Sequence, residues 1–121
     1  MRNQIGILGE DIASDFLISN GCKILKRNYR TRSGEIDIIA KNKDVICFVE
    51  VKTRTSKNFG SPLESVSLVK QNTIFSVASE YSAQFIKKDI AQRFDVISII
   101  IKDKNKNNFE INWIKDAFQY E

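Results

Sequence analysis

The sequence predicts an α/β fold: a mixed β-sheet of about five strands flanked by helices, in the order α-β-β-β-α-β-β. Three observations point there. Residues 2–19 carry apolar side chains at helical spacing. Residues 35–53 form two apolar strands so close in sequence that a hairpin is the natural connection. Residues 94–101 are almost continuously apolar, as in a strand covered on both faces. A chain of 121 residues suggests one domain, spanning 1–121, and can bury a core without disulfides or a structural metal.

The elements follow in order. Ile5, Leu8, Ile12 and Phe16, with Ala13 and Leu17, give the first helix its inner face. Asn20-Gly21 is the stop signal. Cys22 to Arg30 reads as a short strand carrying Ile24, Leu25 and Tyr29, and Thr31 to Gly34 as a polar turn. Glu35–Lys41 and Val45–Thr53 are the hairpin strands around Asn42-Lys43-Asp44. Gly60 and the single proline, Pro62, make Lys57–Pro62 a loop. Ser65–Ile86 is a long helix with Val66, Val69, Thr73, Val77, Ile74, Ala78, Tyr81 and Phe85 on its inner side. Arg93–Ile101 is the covered strand, Lys102–Asn108 a charged turn, Phe109–Ile114 the last strand and Ala117–Glu121 a short tail.

Composition narrows the chemistry. With 42% hydrophobic and 28% charged residues the chain is globular rather than disordered. No apolar run approaches the roughly 20 residues that span a bilayer, and the N-terminus, with Glu10, Asp11 and Asp15, does not resemble a signal peptide. A cytoplasmic protein without a membrane partner is the default expectation. The sequence has no histidine, which excludes Ser-His-Asp and Cys-His catalysis and histidine-bound zinc. Its two cysteines, Cys22 and Cys47, form no CxxC, and Cys47 reads as a small core residue. The net charge is +4. Lys23, Lys26, Arg27, Arg30 and Arg32 precede the acidic strands, and Arg54 and Lys57 follow them. One basic cluster is ordinarily a solvated surface; two clusters bracketing an acidic centre point toward phosphate contacts.

That acidic centre is the main functional signal. Gly34-Glu35-Ile36-Asp37-Ile38-Ile39-Ala40 and Val45-Ile46-Cys47-Phe48-Val49-Glu50-Val51-Lys52 place carboxylates in apolar strands. Strands disfavour Asp, and a desolvated carboxylate needs a cation or a metal. Alternation puts Glu50 and Lys52 on one face, and Glu35, Asp37 and Ile39 on one face of the neighbouring strand. A register in which paired residue numbers sum to 87 sets Asp37 opposite Glu50. Any odd sum keeps both acids on one face; an even sum separates them. Opposed Cβ atoms lie about 5 Å apart, within reach of one hard cation such as Mg²⁺ or Mn²⁺. Asp37 and Glu50 would hold the metal, the Val51 carbonyl would be a third ligand, and Lys52 would stabilise charge on phosphate oxygens. Glu10, beside Gly9 on the first helix, is a further candidate ligand. The structural alternative is that Glu50 pairs with Lys52, and Asp37 with an arginine.

Other positions stay open on pattern alone. Glu35 is either a strand-edge charge, the favoured reading, or an outer-sphere partner of the centre. Lys70 and Gln71 could face the site, though pattern alone favours a solvated helix face. Arg93 and Asp95 form either a structural pair or a phosphate contact. Tyr29 and Arg30 suit nucleic acid, though Tyr29 suits the core equally well. Trp113 reads as packing.

Asp37 followed by Glu50-Val51-Lys52 resembles the PD-(D/E)xK nuclease superfamily, which has a restriction-endonuclease-like core. Gly6, Gly9-Glu10, Ala13, Phe16-Leu17, Gly21, Asn28-Tyr29-Arg30, Gly34 to Ile39, Phe48 to Arg54, Lys70 and Arg93-Phe94-Asp95-Val96 more narrowly resemble the YraN-like bacterial family. Members of that family are predicted endonucleases similar to archaeal Holliday-junction resolvases. The resemblance covers nearly the whole chain. It implies Glu10, Asp37, Glu50 and Lys52 as the catalytic and metal set, and raises the interest of Lys70 and of Arg93-Phe94-Asp95. Cys22 stands where an aromatic residue is common, a departure that concerns packing.

The expectation is a Mg²⁺- or Mn²⁺-dependent endonuclease acting on DNA rather than RNA, with Arg30, Arg32, Arg54, Lys57 and Lys70 on the nucleic acid. A homodimer is expected if two symmetric cuts are made. The alternatives are a nucleic-acid-binding module without turnover and a protein-interaction domain.

Overall fold

The computed structural model describes residues 3–55, 66–87, 89–103 and 108–120. Its elements are α1 (Gln4–Ser19), β1 (Lys23–Thr31), β2 (Gly34–Asn42), β3 (Val45–Arg54), α2 (Leu68–Phe85), β4 (Ala91–Asp103) and β5 (Asn108–Phe118). The expected order is therefore the observed one.

Local chemistry sets the helix ends. The Asn3 side chain accepts from the Gly6 N–H at 2.7 Å, capping α1. Gly21, at φ +87°, adopts the left-handed conformation that closes the C-terminus, with Cys22 N–H donating to Leu17 O at 2.9 Å. Ser67 caps α2 by accepting from the Lys70 N–H at 3.1 Å.

The five strands lie in the order β1-β2-β3-β4-β5. The β3–β4 pair is parallel and spans the α2 crossover; the other pairs are antiparallel. Pairs such as Ile38↔Val49 and Ala40↔Cys47 fix the β2–β3 register at a sum of 87, and this ladder begins only at Ile38. Strict alternation fails just before it, because Ile36 and Ile38 join cores on opposite sides of the sheet.

One helix covers each face. Ala13 and Leu17 of α1 pack on Ile38, Ala40, Cys47, Val49, Ile97 and Ile99. Ile74, Val77, Ala78 and Tyr81 of α2 pack on Ile36, Ile39, Phe48 and Val96. Val96, Ile97 and Ile99 are fully buried, as the apolar run implied. Gly9 lets α1 sit close on the sheet: a Cβ there would run into the Thr53 side chain of β3.

Some boundaries and faces differ from expectation. Val69 and Phe85 are 77% and 57% exposed rather than inward, because they sit at the two ends of α2 and only its middle covers the sheet. β5 continues to Phe118, which pairs with Phe94 beyond a register shift, where a tail was expected. The Lys57–Pro62 loop lies outside the described residues.

Candidate active site

The hairpin register brings the two strand acids together. Asp37 lies one residue before the first β2–β3 pair, Ile38↔Val49, and so level with Glu50 by continuation. Its Oδ2 accepts from the Val51 backbone N–H at 2.8 Å. A β2 side chain thus takes up a β3 amide where the backbone ladder stops, which fixes the Asp37 carboxylate beside Glu50.

Glu50 is 5% exposed, on the α2 side of the sheet. Lys52 Nζ lies 3.5 Å from its Oε2 and Lys70 Nζ, reaching down from α2, lies 3.8 Å away. The other oxygen, Oε1, is buried without a hydrogen-bond partner. Burial first, then the Asp37 charge and hydrogen bond, push the Glu50 carboxyl up to about 8, and the two lysines offset this only in part. At neutral pH the Glu50 carboxyl therefore calls for a proton or an added cation. Ser98, level with Lys52 on β4 and 5% exposed, adds a buried polar residue nearby. Its only sequence signal was a serine inside an apolar run.

Glu10 is 6% exposed on α1, with Arg27 Nη2 at 4.0 Å from its Oε1. Among the described residues no three His, Cys, Asp or Glu side chains gather into a metal-holding group, so Glu10 does not join Asp37 and Glu50 as a third carboxylate in this structure. Val51 contributes its N–H to Asp37, a role distinct from the carbonyl ligation expected of it. Lys70 reaches Glu50, although pattern alone favoured a solvated face.

The basic flank is partly neutralised. Arg27 Nη2 meets Asp11 at 2.8 Å, and Arg30 Nε meets Glu35 at 3.3 Å. Arg32 is exposed and Arg54 half-buried, while Lys57 lies outside the described residues. Tyr29 packs edge-on against Tyr81, as a core residue does. Arg93 and Asp95 form a structural pair: fully buried Asp95 accepts from Arg93 Nε at 2.9 and 3.2 Å, from Trp113 Nε1 at 2.9 Å and from the Asp116 N–H at 2.9 Å. Both cysteines are free and buried, and burial pushes the Cys47 thiol up to about 12, which leaves it unreactive.

Comparison with known proteins gives a consistent neighbourhood. A family model described as uncharacterised protein family UPF0102 matches residues 9–99. The chain is 53% identical over 116 residues to a UPF0102 protein of Caldicellulosiruptor bescii, covering 95% of this chain and 97% of that one. It is 48% identical over 121 residues to a UPF0102 protein of Clostridium tetani, covering 98% and 96%. A Clostridium botulinum UPF0102 protein is also 48% identical, over 122 residues and the same shares.

Proposed function

The chain belongs to the UPF0102 family, and from its acidic centre we propose that it is a metal-dependent endonuclease hydrolysing phosphodiester bonds of DNA, with branched or otherwise structured DNA as the substrate class. The observation that carries this reading is the buried Glu50 carboxylate pressed against Asp37 and flanked by Lys52 and Lys70.

The donor set fits Mg²⁺ or Mn²⁺. Both acids offer hard oxygen ligands, and Glu50 Oε1 is a buried acceptor lacking a donor. Mg²⁺ typically takes one or two carboxylates and completes its shell with water and substrate phosphate, so a two-carboxylate centre suffices. Asp37 and Glu50 are the proposed ligands, with the Val51 carbonyl as a further candidate. When bound, the cation lowers the pKa of a coordinated water and polarises a phosphoryl oxygen. The chain's own residues do the rest. The Val51 N–H holds Asp37 in place. Lys52 and Lys70 bring two positive charges to where a phosphate would carry developing negative charge. Arg30, Arg32, Arg54 and Lys57 are proposed to grip the flanking backbone, and a homodimer would place two centres for paired cuts.

Only two carboxylates meet among the described residues, and this favours a second reading: a DNA-binding module without turnover. Cleavage of a four-way junction, a linear duplex and a single strand, with Mg²⁺, Mn²⁺ or chelator, separates the two. Metal-dependent cutting that disappears in Asp37→Asn supports the enzyme. Binding without cutting on every substrate supports the module.

A further inference from the structure

A polar cavity of about 380 Å³ lies on the face of the sheet opposite Glu50. It is lined by Asn20 at the end of α1, Asn42 and Lys43 at the β2–β3 turn, Arg93 at the start of β4, and Trp113 and Lys115 on β5. Arg93 is in register with Cys47, a residue of the α1-side core, whereas Glu50 faces α2. The two places are thus three residues, or roughly 10 Å, apart along the strand and on different faces.

From this cavity we infer a binding site for a phosphate monoester, carried either by a free sugar phosphate or by the terminal phosphate of a nucleic-acid strand. The inference does not rest on the nuclease reading.

Among the described residues, three cations and two amides line the cavity, and no carboxylate does. Asp44 and Asp116 follow two of the cations in sequence, but neither lines it. The one acid bound into the wall is Asp95, buried and already accepting from Arg93, Trp113 and Asp116. Three positive charges and that one negative charge leave a net +2, matched to a phosphomonoester dianion. Asp95 holds Arg93 Nε, while Arg93 Nη2 is buried with no partner. Trp113 forms an apolar wall with Lys115 Nζ 4.4 Å from its ring centroid and Arg93 Cζ at 5.8 Å. Guanidinium, ammonium and amide donors around an apolar wall match a phosphate attached to a flat or sugar-like body.

Lys43 adds an independent observation. Its φ is +56°, the left-handed region where a side chain is disfavoured and Gly or Asn is the usual occupant. A lysine held there places a cation at the cavity rim at a cost to local backbone energy.

Trp113 is the chain's single tryptophan and reports on the cavity directly. Its fluorescence would be titrated with inorganic phosphate, with ribose 5-phosphate, and with an oligonucleotide bearing a 5′-phosphate or a 5′-hydroxyl, all at constant ionic strength in sodium chloride. A saturable response to ribose 5-phosphate identifies a free sugar phosphate; one confined to the 5′-phosphorylated strand identifies a strand end. Either outcome supports the site. Lys43→Gly and Lys115→Ala, both at the surface, are each expected to weaken binding about tenfold with the melting temperature retained. Lys43→Gly also relieves the backbone constraint, so its loss of binding cannot come from a weakened fold. The inference is overturned if no phosphomonoester gives a saturable response, if the 5′-hydroxyl strand binds as well as the phosphorylated one, or if both variants bind like the wild type.

Discussion

The Oδ2 of Asp37 on β2 accepts from the backbone N–H of Val51 on β3 at 2.8 Å. That hydrogen bond anchors one carboxylate to the residue that separates Glu50 from Lys52. It leaves the Asp37 charge beside a second, buried carboxylate. Electrostatic strain at this point, more than any feature of the fold, distinguishes the centre from an ordinary strand-edge ion pair.

The strain has a pH signature. The Glu50 carboxyl is raised from 4.5 to about 8 in the folded protein. A raised carboxyl contributes stability that is fully present below the unfolded value and is lost as pH rises through the folded one. The metal-free protein is therefore expected to lose stability between about pH 4.5 and 8 through this group. Glu50→Gln removes that slope and melts higher than wild type at pH 8. Asp37→Asn lowers the Glu50 pKa and flattens the slope while its amide oxygen still accepts from Val51. Urea melts across this pH range check both.

The two lysines are expected to separate by role. Lys52→Ala removes the cation nearest Glu50 and lowers the cleavage rate by about 10²-fold or more, the scale for loss of a group that stabilises developing charge. Lys70→Ala, farther from Glu50, costs less in rate and more in substrate affinity. Rates measured at saturating and at low DNA concentration divide the effects. Equal losses from both substitutions would remove the assignment.

The seating of α1 depends on Gly9. A methyl group there meets Thr53 of β3, inside the Glu50-to-Arg54 stretch. Gly9→Ala is expected to destabilise the protein by about 1–3 kcal/mol. Thr53→Gly in the same chain recovers part of the loss, a coupling that a double-mutant cycle measures.

Asp95 is expected to govern stability without touching the metal centre. It is fully buried and accepts from two side chains and one backbone amide. Asp95→Ala leaves the Arg93 guanidinium without its partner and costs about 3–5 kcal/mol in chemical denaturation. Metal binding by the surviving folded protein is expected to stay within about threefold of wild type, because Asp95 lies on the α1 side of the sheet, away from Glu50.

Much of this was legible in the chain. The apolar run from Phe94 to Ile101 announced a doubly covered strand, and the short Asn42-Lys43-Asp44 break announced a hairpin. Two-residue alternation left its register open between odd and even sums, and the observed sum of 87 is what sets Asp37 level with Glu50. The helix ends were less legible: Val69 continues the apolar period of α2 yet is exposed, because periodicity does not tell where a helix stops covering its sheet. Lys70 was legible only as one alternative, since its long side chain bridges from the helix to Glu50 across a distance that sequence spacing does not encode. Asp95 was ambiguous because its partners Trp113 and Asp116 come from β5, about 20 residues on, and only the strand pairing brings them together.

The most direct measurement is Mn²⁺ titration by calorimetry at pH 7, in two buffers of different ionisation enthalpy, for wild type, Glu50→Gln and Asp37→Asn. A divalent cation that displaces the proton held on Glu50 gives one-site binding with close to one proton released in the wild type. Binding is abolished or greatly weakened in both variants, with no proton released. Mn²⁺ binding that is undiminished in both, or the absence of binding to the wild type, would contradict a divalent-cation centre at Asp37 and Glu50.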